Sequence, residues 1–166
     1  MPRHRSRRGY YKLAKRYSNE TFTAEGSVVA GPAPPPLNIV LTKSTDILGT
    51  RKAKNFTLSL LTNSNVPLVF ALVFVPEGTI PSSIAVGNEI EGDSPKYLLS
   101  ASTYNPNQNV ILTGIVGGQS STVERFKTRL ARNLNSGDRI ILVIQPLGAS
   151  EEDYNILACL NYAIAY

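Results

Sequence analysis

The residues with the plainest chemical capacity stand at the start of the chain. Arg3, Arg5, Arg7, Arg8, Lys12, Lys15 and Arg16 place seven of the 17 basic side chains in a stretch that holds no acid. Such groups neutralise phosphates and release their counterions, while Tyr10, Tyr11 and Tyr17 offer faces on which unpaired bases can stack. This chemistry needs no folded cleft and is largely blind to base sequence. Seven contacts to a single strand give a log–log salt slope of about −5. The same residues could serve as a solubilising tail or a nuclear-localisation signal. Nucleic-acid binding is the favoured reading, and recognition by nuclear import receptors is compatible with it.

A second basic feature is Arg125, Lys127, Arg129 and Arg132. In a strand the first three alternate onto one face. In a helix Arg125, Arg129 and Arg132 align at i, i+4 and i+7. Either geometry makes a cationic stripe, with an ordinary solvated face and a phosphate-facing surface weighing about equally.

Catalytic chemistry finds little footing. His4 is the only histidine and sits between Arg3 and Arg5, where nothing holds it as a base. Cys159 lies in the apolar run Ile156 to Leu160 and reads as a small buried hydrophobe. Glu151, Glu152 and Asp153, like Glu89, Glu91 and Asp93, carry oxygen ligands at spacings that match no cation cage, so solvated loops are the better reading. Gly117-Gly118 lacks the Lys-Ser/Thr of a phosphate loop and reads as a turn. No catalytic residue, metal or cofactor is assigned, and the chain is expected not to be an enzyme.

These residues need a scaffold, and the composition bounds it. The 166 residues and 18.0 kDa, 42% hydrophobic and 17% charged, suit one domain. Once the first sixteen residues are set aside, 10 basic and 12 acidic side chains remain, so a near-neutral body carries a cationic tail. One cysteine excludes an internal disulfide. No apolar run follows the basic start, so a secretory leader is not expected. The most apolar stretch, Val66 to Val75, contains Pro67 and is about half a bilayer span, so a soluble chain without a membrane partner is expected.

Residues 1–17 read as a disordered basic arm and 18–166 as the folded domain. Gly31 to Pro36, with four prolines, reads as an extended surface strap, a linker rather than a docking peptide. Short apolar runs between turn residues then indicate an all-β domain. The expected strands are Leu37–Leu41, Lys54–Leu61, Val66–Val75, Tyr97–Thr103, Val110–Val116, Val123–Ala131, Arg139–Gln145 and Asn155–Tyr166. In the second of these, Phe56, Leu58 and Leu60 take one side and Asn55, Thr57 and Ser59 the other. Val123, Phe126, Leu130 and Leu134 would also suit an amphipathic helix, but a strand is favoured. Eight strands with long loops and no tryptophan fit an eight-stranded, two-sheet jelly roll better than an immunoglobulin sandwich.

Four segments carry a resemblance: Phe74 to Thr79, Tyr104 to Val110, Arg129 to Asp138 and Tyr162 to Tyr166. Their order and spacing, from about Pro67 to the end, resemble capsid proteins of small circular Rep-encoding single-stranded DNA (CRESS-DNA) viruses. The resemblance implies a jelly-roll subunit that self-assembles into an icosahedral shell and encloses circular single-stranded DNA, located in the virion and, during assembly, in the host nucleus. The chain is short for such proteins, and its arm is less basic than those of the circovirus relatives. The competing readings are a cellular β-barrel nucleic-acid-binding module and a β-sandwich enzyme or carbohydrate-binding module. The scattered aromatics and the slightly acidic body weigh against the first, and the absence of tryptophan weighs against the carbohydrate reading.

Overall fold

Alternation of apolar and polar side chains builds most of the strands. In a computed structural model that describes residues 17–31, 37–42, 49–78, 110–118, 122–150 and 152–165, eight strands form. They are β1 (Ser18–Val28), β2 (Leu37–Val40), β3 (Arg51–Thr62), β4 (Leu68–Val75), β5 (Val110–Val116), β6 (Glu124–Leu134), β7 (Arg139–Pro146) and β8 (Tyr154–Ala165). The first sheet has the order β1-β8-β3-β6 and the second β2-β7-β4-β5, with every pairing antiparallel. Two four-stranded sheets with this interleaved order are the jelly roll, not the five-stranded barrel of the competing module.

The inner faces of the two sheets meet in one core. β3 supplies Phe56, Leu58 and Leu60, β4 Phe70 and Leu72, β7 Ile140, Leu142 and Ile144, and β8 Ile156, Leu160 and Ile164. Phe70 meets Phe126 edge to face across the two sheets, with ring centroids 4.6 Å apart. The far side of the second sheet is apolar too, with Val69, Ala71, Val73, Val75, Ile141 and Val143 all buried. Burial on both faces explains why β4 and β7 show continuous apolar runs. Tyr154 is buried in the core with no hydrogen-bond partner for its hydroxyl, and burial pushes its phenol up to about 12.

The β6–β7 connection is a tight turn at Asn135 to Asp138. Gly137 takes φ 82°, a value that suits glycine, and the Asp138 amide donates to the Asn135 carbonyl. The buried Asp138 carboxylate accepts from the Asn135 amide at 2.7 Å and from the Glu77 amide at 3.3 Å. It thereby ties this turn to the end of β4.

The sequence expectations and the structure part in a few places. β1 was not expected as a strand, because Phe22 is the one large apolar residue before Val28. It forms a full-length ladder with β8, and its sparse alternating apolar residues Phe22, Ala24 and Val28 turn toward the core. The helix alternative for Val123 to Leu134 is excluded by the β3–β6 ladder. The expected strand Tyr97–Thr103, arm residues 1–16 and the prolines of the strap lie outside the described residues.

Candidate nucleic-acid interface

Strict alternation from Phe56, Leu58 and Leu60 would turn Lys54 and Lys52 into the core. The strand avoids this with a bulge. Asn55 takes φ 58°, and the β3–β8 register slips between Lys54 and Thr57. Asparagine tolerates this left-handed conformation better than most residues. The extra residue reverses the phase of the strand. Ala53 and Arg51 therefore face inward, 0% and 6% exposed, and Lys52 and Lys54 face outward.

Strand β6 presents Arg125, Lys127 and Arg129 on that same outer face, all exposed, while Glu124, Phe126 and Thr128 alternate toward the other side. Arg125 lies opposite Ser59, Lys127 opposite Thr57, Ala131 opposite Lys54 and Asn133 opposite Lys52. The fourth residue of the sequence stripe departs. Arg132 pairs across from the inward Ala53, and its guanidinium donates to the Val110 carbonyl at 3.3 Å. It is turned off the face because an even spacing from Phe126 and Thr128 puts it on their side.

The middle of the face is uncharged. Thr21, Asn161 and Thr57 form one cross-strand row leading to Lys127, and Thr23, Cys159 and Ser59 form another leading to Arg125. Thr21 donates its hydroxyl hydrogen bond to the Asn161 side-chain oxygen. Cys159 was expected in the core but sits half-buried on this polar face, 3.7 Å from the Asn161 side-chain nitrogen, because Ala158 and Leu160 take the inner positions.

Acids are few here. Among the strands of this sheet they are Glu20, Glu25 and Glu124. Glu20 accepts from the Tyr162 hydroxyl at 2.7 Å, and Glu124 accepts from the Gly117 amide at 3.0 Å. Only Glu25 occupies an outward position, on β1, three strands and about 14 Å from β6.

The start of β1 joins the arm to this surface. The Lys54 ammonium lies 3.7 Å from the centroid of the Tyr17 ring, a cation–π contact. Tyr17 directly follows Lys15 and Arg16, so the basic segment is covalently attached at the Lys54 end of the cationic face. The remaining arm residues named from sequence, Arg3, Arg5, Arg7, Arg8, Tyr10, Tyr11 and Lys12, lie outside the described residues with Lys15 and Arg16. Lys52 and Lys54 were not singled out from sequence. Their signal was an asparagine at the point where alternation had to break.

Of the acidic loop residues named from sequence, Glu89, Glu91, Asp93 and Glu151 lie outside the described residues. Asp153 accepts from the Ala30 amide at 2.7 Å, and among the described residues no group of three metal-ligating side chains forms. Among the same residues no helix is long and apolar enough to cross a membrane.

No family model matches the chain, and no curated protein does. Several solved structures match it loosely. A full particle of Israeli acute paralysis virus matches at 11% identity and TM-score 0.40, over 99% of this chain and 82% of the other. Infectious bursal disease virus, Gx strain, matches at 10% and 0.36, over 90% of this chain and 36% of the other. An aminopeptidase from a marine sediment archaeon, Thaumarchaeota archaeon, matches at 11% and 0.30, over 87% and 26%. These values describe a loose similarity of form, and no function is transferred from it.

Proposed function

We propose that the chain is a viral capsid subunit that self-assembles into a small icosahedral shell and packages single-stranded DNA through its basic N-terminal segment. The observation that carries this reading is the Tyr17–Lys54 contact, which joins that segment to the cationic outer face of the β1-β8-β3-β6 sheet. A subunit that condenses a polyanion has use for charge gathered on one side. The sequence resemblance to capsid proteins of circular Rep-encoding single-stranded DNA viruses narrows the cargo to circular DNA. In this reading the protein acts in the virion, is carried to the host nucleus by import receptors that bind the arm, and does structural rather than catalytic work.

Replacing Arg3, Arg5, Arg7, Arg8, Lys12, Lys15 and Arg16 by Gln in the full chain tests the reading. Particles from the variant should retain at most a small fraction of the nuclease-protected nucleic acid held by the parent. Undiminished packaging would overturn the role given to the arm.

A further inference from the structure

The five outward cations form a line. Arg125, Lys127 and Arg129 occupy successive outward positions of β6. At the next two levels β6 offers Ala131 and Asn133, and there the neighbouring strand supplies Lys54 and Lys52. The file therefore continues without a gap by stepping from β6 to β3. Along a strand each step is two residues, about 6.8 Å; the step from Arg129 to Lys54 crosses the irregularity at Asn55, and the whole file is on the order of 27 Å long.

We propose that this file is a binding track for the sugar–phosphate backbone of one nucleic-acid strand, continuous with the arm at Lys54. The assignment deepens the packaging role and rests on it. Three features select the ligand. The track is one cation wide, so it matches a single backbone rather than the paired backbones that flank a groove. Its step is about twice the ~3.4 Å axial rise per nucleotide of one strand in a duplex, so it suits an extended strand. A duplex is stiff, and its backbone winds away from a straight line within a few phosphates. Beside the track, Ser59, Thr57, Thr21 and Asn161 offer neutral hydrogen-bonding groups, and no aromatic ring among the described residues of the face stands beside Arg125 or Lys127. The track thus holds backbone without reading bases. Stacking is left to Tyr17 and the arm.

The bulge is the device that completes the track. Without the phase reversal at Asn55 the file would end at Arg129, short of the arm's point of attachment. Tyr17 and the backbone of the ligand then address the same ammonium from different sides.

The test is the salt dependence of oligo(dT) binding to the full chain, compared with a K52Q/K54Q double variant and an R125Q/K127Q/R129Q triple variant. Each lost contact removes about 0.7 from the log–log slope, so the double variant should lose about 1.4 and the triple about 2.1. Lys52, Arg125, Lys127 and Arg129 are exposed and Lys54 half-buried, and matching thermal unfolding curves check that the variants fold. Y17F should bind as the parent does, and Y17A more weakly. Parental slopes in both variants would overturn the track while leaving packaging by the arm intact. Absence of salt-dependent binding by the parent itself would instead overturn the packaging role. Tighter binding of a duplex of equal length, or of polyglutamate of equal charge, would overturn the choice of ligand.

Discussion

The bulge at Asn55 makes a graded prediction about stability. Its φ of 58° lies in the left-handed region, which costs an ordinary residue roughly 1–2 kcal/mol and glycine almost nothing. Asn55 is exposed, so substitution there changes backbone preference with little loss of packing. N55G should be near parental, since relief of the left-handed strain is offset by the extra freedom that glycine gives the unfolded chain. N55A should lose about 1 kcal/mol. N55V should lose about 2 kcal/mol, because β-branched residues are the worst fit to that region. For a domain of this size the loss in N55V corresponds to a fall in Tm of roughly 4–8 °C. Thermal unfolding of the four full-length proteins under one set of conditions measures the series. N55V as stable as the parent would refute the bulge, and with it the outward placement of Lys52 and Lys54.

Two further substitutions probe the core and the turn, and one probes alkaline stability. Y154F removes a buried hydroxyl that has no partner, so it should leave stability unchanged or raise it by up to about 1 kcal/mol in denaturant titration. The parent should lose stability as pH rises from 10 toward 12, because the unfolded phenol gives up its proton before the folded one. Y154F should lack that component of the loss, and identical pH profiles would contradict the assignment. D138A strips the acceptor from the Asn135 and Glu77 amides and should cost roughly 1.5–3 kcal/mol, read as a lower denaturant midpoint. F70A opens a cavity against Phe126 between the two sheets and should cost about 3–5 kcal/mol on the same scale.

How far the sequence reaches depends on which force orders each segment. β4 and β7 are legible because burial on both faces writes itself as an unbroken apolar run. The inner face of β3 is legible from Phe56, Leu58 and Leu60. β1 is faint, because its inward positions Phe22, Ala24, Gly26 and Val28 are mostly small and give the alternation little hydrophobic weight, while the ladder with β8 completes its order. The stripe Arg125, Lys127 and Arg129 follows from period two, and so does the departure of Arg132 once the strand is known. Lys52 and Lys54 escape the same rule because one residue in the left-handed region reverses it. The union of arm and sheet could not be read from spacing, since Tyr17 and Lys54 meet only through the β1–β8–β3 pairing.

Whether this chain builds a closed shell around nucleic acid is read out by electron microscopy of the purified full-length protein at near-physiological salt. Absorbance spectra of the same sample after nuclease treatment complete the measurement. Uniform closed particles with a nuclease-resistant nucleic-acid spectrum are the expected result. A folded, homogeneous monomer or dimer that stays so when single-stranded DNA is supplied would contradict it.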